Sequence, residues 1–155
     1  MTHASLVLDE FIPYRLSIAS NVVSDIIASA YEALFGLRIP EWRLVAVIAE
    51  EGQVTQQRIC TRTRMDKVTV SRAAIALVDR GLIARSAHSG DRRSHLLALT
   101  DEGRALYADV SPKALELEAR IFRDFGSEEL AGFMTMLRRI EVAALDVLSP
   151  EDAGA

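Results

Sequence analysis

Nine lysines and arginines crowd into residues 58–93 (Arg58, Arg62, Arg64, Lys67, Arg72, Arg80, Arg85, Arg92 and Arg93) against three acids, Asp66, Asp79 and Asp91. That window has a formal charge of +6 in a chain whose total is −4, so the remaining residues, with nine basic and nineteen acidic groups, carry −10. Guanidinium and ammonium groups capture oxyanions, and a block of them on one surface is the electrostatic footprint of a site that meets nucleic-acid phosphates. The acidic remainder repels phosphate, which points to local, oriented contact rather than indiscriminate coating.

Other chemistry is poorly supplied. An enzyme needs a convergent nucleophile, base and charge stabiliser, and the nearest set, His88 with Asp91, falls on a turn with no nucleophile beside it. His3, His88 and His95 are scattered and give no closed metal site with Cys60, so neither a metal nor any other cofactor is expected. Cys60 is the sole cysteine, which excludes an intrachain disulfide. It has cationic neighbours in sequence, but periodicity turns it inward, against a redox role. Met1-Thr2-His3-Ala4-Ser5 lacks the basic and apolar regions of a secretory leader, and the apolar run Leu44–Ala49 is too short to span a bilayer. The expectation is a soluble, cytoplasmic protein with no membrane partner, and half its residues are apolar, enough for a core.

The elements that must position the cationic block follow from periodicity and punctuation. Ile12, Leu16, Ala19, Val23, Ile26, Ala30 and Leu34 step by three or four along one long amphipathic helix, with Pro13 tolerated near its start. Pro40 opens a second helix that Gly52 ends. Thr55 caps a short third helix over about 56–61, and a fourth begins at Asp66 and stops before Gly81. Two helices joined so tightly predict a helix-turn-helix. Residues 82–86 and 94–99, separated by His88-Ser89-Gly90-Asp91, predict a hairpin. A fifth helix is predicted from Thr100 or Asp101 to about Phe125, bent at Pro112 and closed by Gly126. A sixth runs from Ser127 through Leu130, Phe133, Leu137 and Ile140 to Leu148, and the tail from Pro150 is expected to be loose.

The fold class is thus mainly α with a small β hairpin. Its ordered motifs are Ile39-Pro40-Glu41-Trp42-Arg43, Met65-Asp66-Lys67-Val68-Thr69-Val70-Ser71-Arg72, Asp79-Arg80-Gly81-Leu82-Ile83, Asp91-Arg92-Arg93 and Leu97-Ala98-Leu99-Thr100-Asp101-Glu102-Gly103. In that order and spacing, over about residues 11–148, the chain resembles the MarR family of winged helix-turn-helix transcriptional regulators. The resemblance implies an N-terminal dimerisation helix over 1–37, a DNA-binding lobe over 38–100, C-terminal dimerisation helices over 101–149 and a flexible tail over 150–155.

On the fourth helix, Val70, Ala73, Ala74, Leu77 and Val78 fall inward, leaving Lys67, Val68, Thr69, Ser71 and Arg72 near the exposed N-terminal end. There Arg72 can pair with guanine, Val68 can touch a thymine methyl, and Thr69 and Ser71 can hydrogen-bond bases or phosphates. A solvated helix start capped by Asp66 is the plainer alternative. Gly90-Asp91 is also ordinary turn chemistry, but Asp91, Arg92 and Arg93 resemble the family's wing tip, where either arginine could enter the minor groove; Arg92 is the choice for DNA, with Asp91 and Arg93 in support. Thr55, Gln56, Gln57, Arg62 and Arg64 are expected phosphate contacts that fix register.

The resemblance also implies a homodimer on a pseudo-palindromic double-stranded DNA operator, a habit of repression, and release by a small aromatic or anionic effector. Tyr14 and Arg15 are the candidate effector residues; the plainer reading pairs Arg15 with Glu10 or Asp25. The alternative function is a helical protein-interaction module that keeps a winged-helix scaffold and has no DNA-binding activity.

Overall fold

In the computed structural model, residues 4–149 are described, apart from the side chains of Asp91 and Arg92. A short 3-10 turn, Leu8–Glu10, precedes α1 (Ile12–Phe35), α2 (Ile39–Glu51), α3 (Gln56–Thr63), α4 (Lys67–Asp79), β1 (Ile83–His88), β2 (Asp91–Leu99), α5 (Asp101–Ile121) and α6 (Ser127–Val147). The predicted order holds, with a two-stranded antiparallel hairpin after four helices. The chain separates into two compact units, one up to Leu117 and one from Glu118 onward.

In the first unit, α1 ends at Gly36, whose φ of +60° is a left-handed conformation that glycine adopts without strain. The guanidinium of Arg80, at the end of α4, donates to the carbonyls of Phe35 (3.1 Å) and Gly36 (3.0 Å), satisfying orphan acceptors at the α1 terminus. Glu41 is buried because it caps its own helix, accepting the Arg38 N–H at 3.1 Å. Leu37, Leu44, Ile48, Ile59, Leu77 and Leu97 are almost wholly excluded from solvent and knit α2, α3, α4 and the hairpin around one core. Tyr31 packs edge-on against Trp42 (5.8 Å), which stacks on Tyr107 of α5 (5.6 Å).

The strands pair from Ile83 with Leu99 to His88 with Asp91, with an irregularity at Ala87/His88. Val54, between α2 and α3, exchanges both backbone hydrogen bonds with Leu97 (3.1 and 2.8 Å), so the root of the hairpin is tied to the helix-turn-helix. Thr100 tightens the same corner: its hydroxyl donates to Gly81 O (2.6 Å) and accepts the Gly103 N–H (3.1 Å), capping α5.

The fifth helix stops at Ile121 rather than near Phe125, because the chain turns there, with Phe125 N–H on Phe122 O (3.1 Å) and the two rings edge to face at 5.9 Å. Gly126 accordingly opens α6 instead of closing α5; its N–H donates to the Glu129 carboxylate at 2.7 Å. α5 continues as one helix through Pro112. No residue of α6 is buried, and Phe133, Met134, Met136, Val142 and Val147 lie exposed along it. The expected loose tail, 150–155, lies outside the described residues. Among the described residues no helix is long and apolar enough to cross a membrane.

Candidate nucleic-acid interface

Asp66 fixes the start of α4. Its carboxylate accepts the Thr69 N–H and the Thr69 hydroxyl, both at 2.8 Å, and these bonds hold its pKa below the usual aspartate range. Behind this capped end Val70, Ala73, Ala74 and Leu77 are buried, while Lys67, Val68 and Arg72 are exposed and Thr69 and Ser71 half-buried. The cap changes what Thr69 can do: its hydroxyl proton is committed to Asp66, leaving the oxygen to accept only. Because the folded pKa is lowered, this carboxylate adds stability above the ordinary aspartate pKa and loses it as pH falls through the folded value. The urea midpoint of wild type is expected to exceed that of Asp66→Asn at neutral pH, the difference closing below about pH 4.

The turn between α3 and α4 contains Arg64, the one non-glycine residue with positive φ among the described residues (+59°). Its N–H caps α3 through Cys60 O at 2.9 Å, and its side chain is exposed. A left-handed arginine is strained by about 1 kcal/mol, a backbone burden that glycine would remove. Arg64→Gly is therefore expected to raise stability in urea by roughly 0.5–1 kcal/mol while weakening duplex binding, a pair of opposed changes that marks the side chain as functional.

The cationic block is smaller in three dimensions than in sequence. Arg58 is forked onto Glu51, with Nη2 at 2.8 Å and Nε at 3.2 and 3.3 Å from its oxygens. Arg62 pairs with Glu50 and lies 3.5 Å from Glu51. The hydrogen bond from Arg58 is the main reason the Glu51 carboxyl is held below the usual range. Arg80 is engaged by α1, so Arg64, Lys67 and Arg72 are the cations displayed by the turn and α4. Thr55 caps α3 by accepting the Arg58 N–H (3.1 Å); Gln56 is half-buried and Gln57 exposed beside it.

Arg85 and Arg93 are exposed on the hairpin, and the Gly90 N–H donates to His88 Nδ1 at 3.0 Å across its turn. The expected roles of Asp91 and Arg92 rest on side chains outside the described residues. On α1, Tyr14 is half-buried and Arg15 exposed, and neither Glu10 nor Asp25 pairs with Arg15 among the described residues. Sequence reasoning did not single out a cleft of about 530 Å³ lined by Ile48, Ala49, Gly52, Leu99, Arg104 and Tyr107. Only the aromatic and basic residues three apart on α5 could have pointed to it.

A helix-turn-helix with an exposed, capped second helix, tied to a basic hairpin, defines a winged helix-turn-helix fold. Residues 35–94 match the family model described as MarR family. The chain is 28% identical over 104 residues to the HTH-type transcriptional regulator YwoH of Bacillus subtilis (strain 168), covering 67% of this chain and 75% of that one. A MarR/EmrR family transcriptional regulator from Acinetobacter sp. ADP1 superposes with a TM-score of 0.83 at 25% identity, over 91% of this chain and 99% of the other. Bordetella bronchiseptica BpsR, described as regulated in DNA binding by 6-hydroxynicotinic acid, shares the fold, with a TM-score of 0.82 at 22% identity over 89% and 98% of the two chains. The chain is thus similar to transcriptional regulators of the MarR family, with the family model covering its helix-turn-helix and most of the hairpin.

Proposed function

We propose that the protein represses transcription by binding a pseudo-palindromic operator as a homodimer and that a small aromatic or anionic molecule releases it. The observation that carries this reading is the division of α4, with its apolar back locked into the core and its capped N-terminal end carrying Lys67, Val68 and Arg72 outward. The N-terminal end of a recognition helix meets base edges in the major groove. Arg72 and Val68 read bases; Ser71 and the acceptor oxygen of Thr69 add polar contacts. Thr55, Gln56, Gln57 and Arg64 hold phosphates, and Arg62 joins them by exchanging its glutamates for phosphate. The wing residues Asp91, Arg92 and Arg93 extend contact into the minor groove, where negative potential favours arginine.

Residues 1–37 and 101–149 form the dimerisation arms in this proposal, because the exposed apolar side chains of α1 and α6 gain stability only when covered. A two-fold axis then sets the half-sites about 34–36 Å apart or a multiple of that. The effector part draws support from the structural neighbour BpsR, whose DNA binding 6-hydroxynicotinic acid regulates; in this proposal Tyr14 and Arg15 line the effector site. Selection of bound sites from random duplexes tests the whole reading: a recovered palindrome with that spacing is expected, and recovery of unrelated sequences counts against it.

A further inference from the structure

The last two residues of α2, Glu50 and Glu51, hold the two arginines that lie one helical turn apart on α3, Arg58 and Arg62. Carboxylates in the last turn of a helix oppose its macrodipole, so α2 gains nothing from them. Among the described residues their ion pairs are with the arginines of α3. The fork of Arg58 on both oxygens of Glu51 is the geometry a guanidinium adopts on phosphate, and Arg62 has two carboxylates within 4 Å. In the proposed binding mode, which this inference takes as its basis, α3 is the helix that crosses the phosphate backbone. Its two arginines are therefore neutralised, before DNA arrives, by acids that lie outside the cationic window.

We propose that Glu50 and Glu51 are internal phosphate mimics that determine how strongly, and with what salt dependence, the protein binds any duplex. DNA recruits Arg58 and Arg62 only by displacing them. Each ion pair is solvent-exposed, with side-chain exposures of 54% and 34% for the two arginines, so displacement is feasible. Each such contact frees a protein carboxylate that takes up a cation while the DNA gives one up, so net ion release is small and the free protein attracts DNA less than its arginine count implies. Recognition then depends more heavily on α4, where Lys67 and Arg72 are exposed and make no ion pair among the described residues.

The test is fluorescence-anisotropy titration of the intact dimer with labelled duplex at several salt concentrations, comparing wild type with Glu50→Gln/Glu51→Gln, alone and with Arg62→Ala. Glutamine keeps the size and helix propensity of glutamate, and circular dichroism confirms that each variant is folded. The acid-to-amide variant is expected to bind every duplex several-fold to roughly tenfold more tightly at low salt. Its plot of log K against log salt should steepen by about 1–2, as for one or two added phosphate contacts. Arg62→Ala alone should change little, whereas in the amide background it should remove about 0.9 of that slope. Unchanged or weaker binding by the amide variant, or equal effects of Arg62→Ala in both backgrounds, would overturn the proposal while leaving the DNA-binding reading intact. Failure of folded wild type to bind any duplex would instead remove that reading and this inference together.

Discussion

Gly103→Ala is expected to destabilise the protein by about 3 kcal/mol or more, beyond the usual range for added methyl groups in a core. A Cβ built on Gly103 would lie 2.0 Å from the carbonyl oxygen of Leu82 and 3.2 Å from a Leu99 methyl. The obstacle is backbone, and that backbone is held in place. Thr100 N–H donates to the same Leu82 oxygen at 3.1 Å, the Thr100 hydroxyl donates to Gly81, and Gly103 N–H returns to Thr100. Relieving the clash means lifting the first turn of α5 off the corner between α4 and β1, which also opens the packing around Leu82 and Leu99. Urea denaturation followed by far-ultraviolet circular dichroism measures the loss. A midpoint equal to wild type would show that the corner yields easily.

Arg72→Ala should abolish discrimination at one base position of each half-site, by about 1–3 kcal/mol, and leave the remaining positions ranked as before. Arg72 is exposed on α4 six residues after Asp66, over the buried Ala73 and Ala74, and makes no ion pair among the described residues. Competition binding with single-base variants of a selected site provides the measurement. A uniform loss across all variants would reassign Arg72 to phosphate. The contrast with Arg62 is informative: both are arginines of the helix-turn-helix, yet only Arg62 is already paired with carboxylates.

Local patterns made much of this architecture legible before any coordinates. The apolar spacing of Val70, Ala73, Ala74 and Leu77 anticipated the buried face of α4, and Gly52 and Gly81, expected to end helices, stand where the chain takes positive φ. The fifth helix was overextended because Phe122 and Phe125 continue its apolar spacing, whereas their ring contact belongs to a turn. Non-local pairing was hidden altogether. Nothing about Val54 as a single residue announces a bridge to Leu97, forty-odd positions later.

Charge counting failed in the same way. It placed Arg58, Arg62 and Arg80 in one cationic surface, although partners seven and twelve residues upstream neutralise the first two and the end of α1 engages the third. A window of sequence registers charge but not which neighbouring helix brings a carboxylate to it. The exposed end of α4 was the more durable signal, because a cap and a buried back face determine orientation without reference to distant partners.

Equilibrium binding of the purified protein to a selected duplex and to a scrambled duplex of the same composition, titrated across ionic strength, tests the central claim most directly. The account predicts tighter binding to the selected duplex by about 10³-fold or more at physiological salt, with both affinities falling linearly in log–log form as salt rises. Equal affinity for the two duplexes, or binding indifferent to salt, would contradict it.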